Sequence, residues 1–106
     1  MKALEVTSQN FEAEVLGAKG PVLVDFWGPG CQPCARMAPI VEAVADQLGG
    51  EVKVVKVDTS VAPELAMQFG IRSIPTFLVL DQGKVVRQRV GSMSRDDLVD
   101  WITDRD

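Results

Sequence analysis

Two largely hydrophobic runs flank a segment with helical spacing in the first half of the chain. "VLVDFW", from Val22 to Trp27, and "VKVVKVD", from Val52 to Asp58, are apolar on both faces, which is typical of strands covered on both sides. Between them, from residue 33 to about residue 48, apolar residues recur at helical spacing and predict one long helix. Pro39 lies inside this helix and predicts a kink near residues 35 to 39. Strand, long helix, strand predicts a right-handed βαβ unit with a parallel pair.

The remaining elements are shorter. "ALEV" predicts a strand at residues 3–6, and Ser8 or Asn10 could cap a helix that follows it. "APELAMQF" predicts a short helix ended by Gly70, while "PTFLVL" and "KVVRQRV" predict an antiparallel hairpin that turns at residues 81–83. Ser94 could cap a last helix with three buried positions, namely Leu98, Trp101 and Ile102. Together these elements predict an α/β fold, a mixed sheet of four or five strands with helices on both faces.

Composition and charge narrow the class of protein. The 106 residues, 46% hydrophobic and 25% charged, predict one globular domain spanning 1–106. A net charge of -4, with 11 scattered Lys and Arg, argues against nucleic-acid binding. Acids interrupt the first 17 residues and no window approaches 18 apolar residues, so neither a signal peptide nor a membrane span is predicted. We therefore expect a cytoplasmic protein without membrane contact.

Both cysteines lie in "WGPGCQPC", residues 27–34, and the chain has no histidine. Three interpretations of Cys31 and Cys34 compete. A structural zinc ion needs four ligands, usually Cys and His, and the chain offers neither a third Cys nor a His. A structural disulfide would close a loop of about four residues, for which the chain-entropy model gives only about 2 kcal/mol. The spacing therefore favours a redox-active pair.

The positions of the two cysteines predict different roles. Cys31 follows a predicted strand and precedes a predicted helix, so the amide donors and dipole of that helix can stabilise its thiolate. We expect Cys31 to be the attacking thiol. Cys34, one turn into the helix, is expected to be more buried and to resolve the mixed disulfide. Pro33 suits the first helical turn, where its missing N–H has no partner to lose.

Asp25 interrupts the buried run "VLVDFW", where an unpaired charge costs several kcal/mol. It is either an acid near water at a strand end, or a buried carboxyl of raised pKa that accepts the proton of Cys34 through a water. Lys56, in the neighbouring predicted strand, either modulates Asp25 or extends its ammonium group to solvent at the edge of the sheet. The residues themselves leave both alternatives open.

"VDFWGPGCQPCARMAP" and "FGIRSIPTFLVLDQGK" resemble the thioredoxin family, and the match is collinear from about residue 5 to residue 102. The resemblance implies the thioredoxin fold, with about four helices around the sheet, and a protein-disulfide reductase that uses Cys31 and Cys34. It also implies the catalytic roles of Asp25 and Lys56. No bound cofactor is implied beyond the redox-active Cys31–Cys34 disulfide. The implied partners are disulfide-containing proteins and a thioredoxin-reductase-like flavoprotein that supplies electrons to a monomer.

The same resemblance points to a substrate-binding segment. A trans bond before Pro75 is favoured by general statistics, because only about 5 to 6% of such bonds are cis. The resemblance instead implies a cis Ile74–Pro75 bond facing the cysteines, with the backbone of Ile74 pairing with the substrate chain and Gly91 beside it. It also implies that Trp27 packs under the site.

The active-site loop departs from the family pattern at two positions. It comprises the residues Trp27, Gly28, Pro29, Gly30, Gln32 and Pro33 in addition to the cysteines. Where the family has tryptophan before the first cysteine and glycine after it, this chain has Gly30 and Gln32. Loss of an indole removes an apolar surface of about 150 to 250 Å², so we expect a narrower or shifted set of partners. Alternatively, Gly30 only relaxes the loop.

Other functions fit the same residues. A disulfide oxidase or isomerase would use the same pair, but the chain shows no export signal. A redox-independent binding module would retain its activity after both cysteines are replaced. A dimer that bridges an iron-sulfur cluster through Cys31 would absorb visible light, and Pro33 disfavours it by stiffening the loop.

Overall fold

The computed structural model describes residues 2–103, and residues 1 and 104–106 of the expected domain lie outside the described part. Five strands form one sheet, and their bounds are β1 Leu4–Val6, β2 Val22–Trp27, β3 Lys53–Asp58, β4 Thr76–Asp81 and β5 Lys84–Val90. The three α-helices are α1 Gln32–Leu48, α2 Pro63–Gln68 and α3 Arg95–Thr103. A π-helical segment, Glu12–Leu16, precedes β2. The α/β class and the mixed sheet are therefore confirmed.

The strand order is β1-β3-β2-β4-β5, which puts β2 at the centre of the sheet. β3 pairs in parallel with β1 and β2, whereas β4 pairs antiparallel with β2 and β5. The predicted βαβ unit, β2-α1-β3, is thus confirmed. The β4–β5 hairpin turns at Gln82 and Gly83, whose φ angles of 54° and 78° are those of a tight two-residue hairpin loop.

Successive side chains along the strands point to opposite faces of the sheet, which divides the core into two layers. On β2, Leu23 faces α1 and α3, while its neighbours Val22, Val24 and Phe26 face the π-helical segment and α2. All four of these side chains are at most 1% exposed. Since both faces of β2 are covered, nearly every residue of the strand is apolar, as the sequence pattern indicates. Asp25, with the parity of Leu23, lies on the α1 face.

Most predicted boundaries agree with the structure to within one or two residues. α1 is continuous through Pro39, so the prediction of one helix rather than two is confirmed. The Asp97 N–H donates to Ser94 Oγ over 3.1 Å, which confirms the cap of the last helix. No helix within residues 2–103 has the length and apolarity needed to cross a membrane.

The predicted cap near residues 8–10 is wrong. Phe11 is the N-cap of the π-helical segment, and no side chain forms a capping hydrogen bond there. The Asn10 side chain instead accepts from the Thr7 N–H over 2.7 Å, and Ser8 Oγ donates to Glu64 on α2 over 2.6 Å. The sequence pattern missed these bonds because Asn and Ser side chains can bond nearby backbone or distant groups as readily as a helix terminus.

Leu98 fixes α3 on the sheet, since its side chain is fully buried between α3, α1 and the strands. We expect Leu98→Ala to lower the free energy of unfolding by about 2 to 5 kcal/mol, because it leaves a cavity as well as losing apolar contacts. Leu16→Ala removes the same atoms from a side chain that is 37% exposed and should cost about 1 kcal/mol or less. Urea unfolding of both oxidised variants measures the difference, and equal costs would contradict this packing role.

Candidate active site

The cysteine motif lies where the central strand ends and the longest helix begins. β2 ends at Trp27, a short loop follows, and Cys31 is the N-cap of α1. Cys31 and Cys34 form a disulfide with their Cα atoms 5.2 Å apart. The Cys34 N–H donates to Cys31 Sγ over 3.2 Å, so the sulfur takes the place of a capping oxygen. The positive end of the helix dipole is therefore directed at Cys31, which favours a thiolate there after reduction.

The two cysteines differ in exposure. Cys31 is half-buried at the surface of the loop, whereas Cys34 is only 6% exposed. The difference follows from helical geometry, because position 34 turns inward toward the sheet while position 31 remains outside the first turn. Only Cys31 is accessible enough for a large substrate to approach its sulfur.

The segment before β4 forms the facing wall of the site. The Ile74–Pro75 peptide bond is cis. Cys31 Sγ lies 3.8 Å from the Ile74 carbonyl oxygen, which could accept from the thiol once the disulfide is reduced. The Gly91 N–H donates to the Pro75 carbonyl over 2.9 Å. The structure therefore brings Cys31, Ile74, Pro75 and Gly91 together, although they span 60 positions of the sequence.

Close packing explains the glycine after β2. A Cβ on Gly28 would lie 3.0 Å from Ile74 Cδ1 and 3.2 Å from Thr59 Oγ1. Thr59 in turn donates to the Trp27 carbonyl from both its backbone N–H and its hydroxyl, over 2.8 and 3.0 Å. A Cβ at position 28 would require the Ile74 and Thr59 side chains to shift by a few tenths of an ångström, whereas glycine fits without displacing them.

Gly30 differs from Gly28, because its backbone conformation rather than close packing favours glycine. Its φ angle is +78°, in the left-handed region, and a Cβ there would meet no atom within 4 Å. Pro29 and Gly30 form a turn in which proline supplies the first φ and glycine the positive second one. Pro29, Gly30 and Gln32 are all exposed. Where the family carries an indole, this chain therefore leaves open surface beside the half-buried Cys31.

A cavity of about 160 Å³ lies under the motif and connects the loop to buried charged groups. Both cysteines, Asp25 and Lys56 line it. Asp25 is 3% exposed, and its Oδ1 has no hydrogen-bond partner within the described part of the chain. Burial raises the pKa of Asp25 to about 7, although the Lys56 charge opposes this effect. Asp25 is therefore a buried carboxyl of raised pKa and not an acid near water at a strand end.

Lys56 does not extend freely into solvent, since its side chain is only 16% exposed. Its Nζ lies 5.0 Å from the centre of the Trp27 ring and 3.9 Å from Glu5 Oε2 on β1. Within residues 2–103, no ion pair of 4.0 Å or less joins Lys56 to Asp25. Sequence reasoning missed Glu5, because its proximity to Lys56 depends on β1 pairing beside β3.

No group of three or more His, Cys, Asp or Glu side chains within residues 2–103 is placed to hold a metal ion. The site contains the cysteine pair, the facing cis-proline segment and the buried carboxyl of Asp25.

Comparison with known proteins agrees with this geometry. The thioredoxin family model matches residues 2–104. The chain is 47% identical to "Thioredoxin 1" of Nostoc over 93 residues, 88% of this chain and 87% of the relative. It is 46% identical to "Thioredoxin 1" of Synechococcus elongatus over 100 residues, 94% of each chain. It is 42% identical to "Thioredoxin C-2" of Corynebacterium nephridii, covering 93% of this chain and 92% of the relative.

These matches span nearly the whole chain, and the structure contains the five-stranded mixed sheet and the closed Cys31–Cys34 pair. The matches and the closed pair do not favour a binding module without redox chemistry or a disulfide oxidase. The protein belongs to the thioredoxin family and is a thiol-disulfide oxidoreductase that reduces protein disulfides.

Proposed function

We propose that Cys31 attacks the substrate disulfide and that Cys34 resolves the mixed disulfide. The difference in exposure between the two cysteines carries this proposal, since Cys34 is 6% exposed and Cys31 is half-buried at the loop surface. The helix N-terminus supports it further by stabilising negative charge at Cys31.

The exchange consists of two displacements. The Cys31 thiolate attacks one sulfur of the substrate disulfide, forms a mixed disulfide and releases the other substrate sulfur as a thiolate. Cys34 then loses its proton and attacks Cys31 Sγ, which closes the Cys31–Cys34 disulfide and releases the second substrate thiolate. Two electrons pass from the protein dithiol to the substrate. The closed disulfide in the structure corresponds to the product of this sequence.

Asp25 is the proposed acceptor of the Cys34 proton. The cavity that it shares with Cys34 offers room for a bridging water, because a water needs about 10 to 15 Å³ of accessible space. A carboxyl with a pKa of about 7 is matched to proton transfer near neutral pH. Lys56, which lowers that pKa, is proposed to set its value.

We propose that an extended substrate segment lies along the wall formed by Ile74, Pro75 and Gly91. Ile74 is half-buried and its carbonyl oxygen is adjacent to Cys31 Sγ. A substrate backbone that pairs there would bring its own disulfide next to the attacking sulfur. Gly30 limits the apolar contact on the opposite side of Cys31, which supports a narrowed or shifted set of substrates.

A reductant of disulfides needs its own source of electrons. The proposed donor is a thioredoxin-reductase-like flavoprotein, which would reduce the Cys31–Cys34 disulfide after each cycle. Such a cycle operates in a reducing compartment, and we therefore propose the cytoplasm as its location. The proposed active form is a monomer, since the described site is complete within one chain.

Replacing the resolving thiol should stop the reaction halfway. We expect Cys34→Ser to accumulate a mixed disulfide on Cys31 when mixed with oxidised insulin, because no second thiol is available to release it. Intact mass spectrometry without reductant would detect the adduct. Cys31→Ser is the matched control and should form none, because Cys34 is buried. An adduct on Cys31→Ser but not on Cys34→Ser would reverse the assigned roles.

The buried carboxyl should make stability depend on pH. Since the folded-state pKa of Asp25 is about 7, against an ordinary value of 3.8, the folded protein holds its proton more tightly. The loss of stability caused by burying the charged form of Asp25 is therefore absent below pH 4 and fully present above pH 7. We expect Asp25→Asn to be more stable than wild type by about 4 kcal/mol at pH 8, and to lose this advantage near pH 4.

Urea unfolding of the oxidised proteins between pH 4 and pH 8 measures this difference. Asp81→Asn makes the same change at an exposed carboxylate and should differ from wild type by about 0.5 kcal/mol or less. A stability gap between Asp25→Asn and wild type that is independent of pH would contradict the burial of the charge.

An indole at position 30 should widen the range of substrates. Gly30→Trp restores the missing apolar surface but strains a φ of +78°, so Gly30→Ala is the control that carries the strain alone. We expect kcat/KM for insulin reduction to be about tenfold higher in the Trp variant than in the Ala variant. Equal values in both variants would show that Gly30 does not limit recognition.

A further inference from the structure

A row of side chains crosses the sheet directly beneath the cysteine pair. In the register of the sheet, Glu5 on β1 pairs with Lys56 on β3, and Lys56 pairs with Asp25 on β2. Neighbouring residues in register project to the same face of a sheet, so all three side chains lie on the face covered by α1. Acid, base and acid thus alternate across three adjacent strands.

The cation of this row is closer to the outer acid than to the inner one. Lys56 Nζ is 3.9 Å from Glu5 Oε2, and no ion pair of 4.0 Å or less links it to Asp25 within residues 2–103. The Trp27 ring, 5.0 Å from Nζ, holds the ammonium on its other side. Lys56 is therefore positioned by Glu5 and Trp27 rather than by direct pairing with the buried carboxyl.

Trp27 also connects to Glu5. Its Nε1 is buried and makes no hydrogen bond of acceptable geometry within the described residues. The indole N–H nevertheless favours the charged form of Glu5, as the nearby Lys56 does. Desolvation is the larger effect and raises the pKa of Glu5 above 4.5. Glu5, whose side chain is 54% exposed on a strand only three residues long, thus lies beside two groups of the active site.

We propose that Glu5 is a positioning residue for the dithiol chemistry: it holds the Lys56 ammonium toward the β1 edge and thereby limits how far Lys56 neutralises Asp25. The inference rests on the proposed role of Asp25 as proton acceptor for Cys34. Without the Glu5 charge, the ammonium group is free to approach Asp25, whose Oδ1 has no hydrogen-bond partner among residues 2–103. A paired Asp25 would be a weaker base at neutral pH.

Two charged groups near Asp25 influence its pKa. Asp25 faces Lys56 and, one strand further, Glu5, and both act on its pKa in opposite directions. From α1 the Cys34 sulfur and from β4 Phe77 lie against it, neither of which carries a charge in the oxidised protein.

Around Glu5 the groups are more numerous. Glu42 on α1 and Asp58 at the end of β3 both raise its pKa, against the effect of Lys56. Arg89 on β5 is in register with Phe77 on β4, and it therefore lies on the side of Asp25 away from Lys56. Because these groups are unchanged in Glu5→Gln, a change in the pKa of Asp25 reports the loss of the Glu5 charge, acting either directly or through Lys56.

The direct test is a titration of Asp25 in the oxidised protein, followed by the carboxyl carbon resonance in NMR. We expect Glu5→Gln to lower the pKa of Asp25 by about half to one pH unit, which corresponds to loss of one charge about two strand spacings away together with release of Lys56. Glu51→Gln, an equal change of charge on an exposed residue before β3, should leave that pKa unchanged.

A double-variant cycle tests whether Glu5 acts through Lys56. In a Lys56→Gln background, Glu5→Gln should lower the pKa of Asp25 by less than half as much as it does in wild type. An equal effect in both backgrounds would mean direct repulsion between the two acids and would overturn the positioning role. No effect in either background would overturn the proposal altogether.

The rate of mixed-disulfide resolution distinguishes the proposed role of Glu5 from the proposed role of Asp25. The rate at which the mixed disulfide is resolved, measured from pH 6 to pH 8, should follow the lowered pKa of Asp25 in Glu5→Gln. If Asp25→Asn does not slow resolution, the proposed proton acceptor is wrong. If Asp25→Asn slows it while the pH profile of Glu5→Gln matches that of wild type, only the role of Glu5 is refuted.

Discussion

The pairing of β2 on both of its edges is the constraint on which the active site depends. Because β3 and β4 bind this strand from either side and helices cover both faces, its end cannot shift without disturbing the whole core. The loop after Trp27 and the N-terminus of α1 are therefore held at a fixed position above the sheet. This rigidity keeps Cys31 next to Ile74, although the two residues are 43 positions apart in the sequence.

The same burial creates the chemistry of the site. A strand that must be apolar on both faces contains one carboxyl, and its low exposure explains why the proton affinity of Asp25 is raised to near neutrality. The charged form of Asp25 therefore reduces the free energy of unfolding above pH 7. Lys56 moderates that effect only in part, since the ammonium also faces Glu5 and the Trp27 ring.

The loop illustrates how two glycines differ in their physical cause. Gly28 is required by the close approach of Ile74 and Thr59, whereas Gly30 is required by a backbone conformation with open space around it. A side chain at position 28 would displace the Ile74 and Thr59 side chains, whereas one at position 30 would extend into open space. Recognition is therefore adjustable at Gly30 without rebuilding the fold, which is consistent with the departure from the family pattern at that position.

Sequence patterns alone determined the order and type of most elements, because long apolar runs and helical spacing reflect burial directly. They also identified the cysteine pair, and the family motifs pointed to the cis Ile74–Pro75 bond that the structure contains. Tertiary structure decided the rest. The absent cap at Ser8 and Asn10, the burial of Asp25 and the proximity of Glu5 to Lys56 all depend on contacts between distant segments. Local patterns could not predict them, since which strands become neighbours is decided only when the sheet assembles.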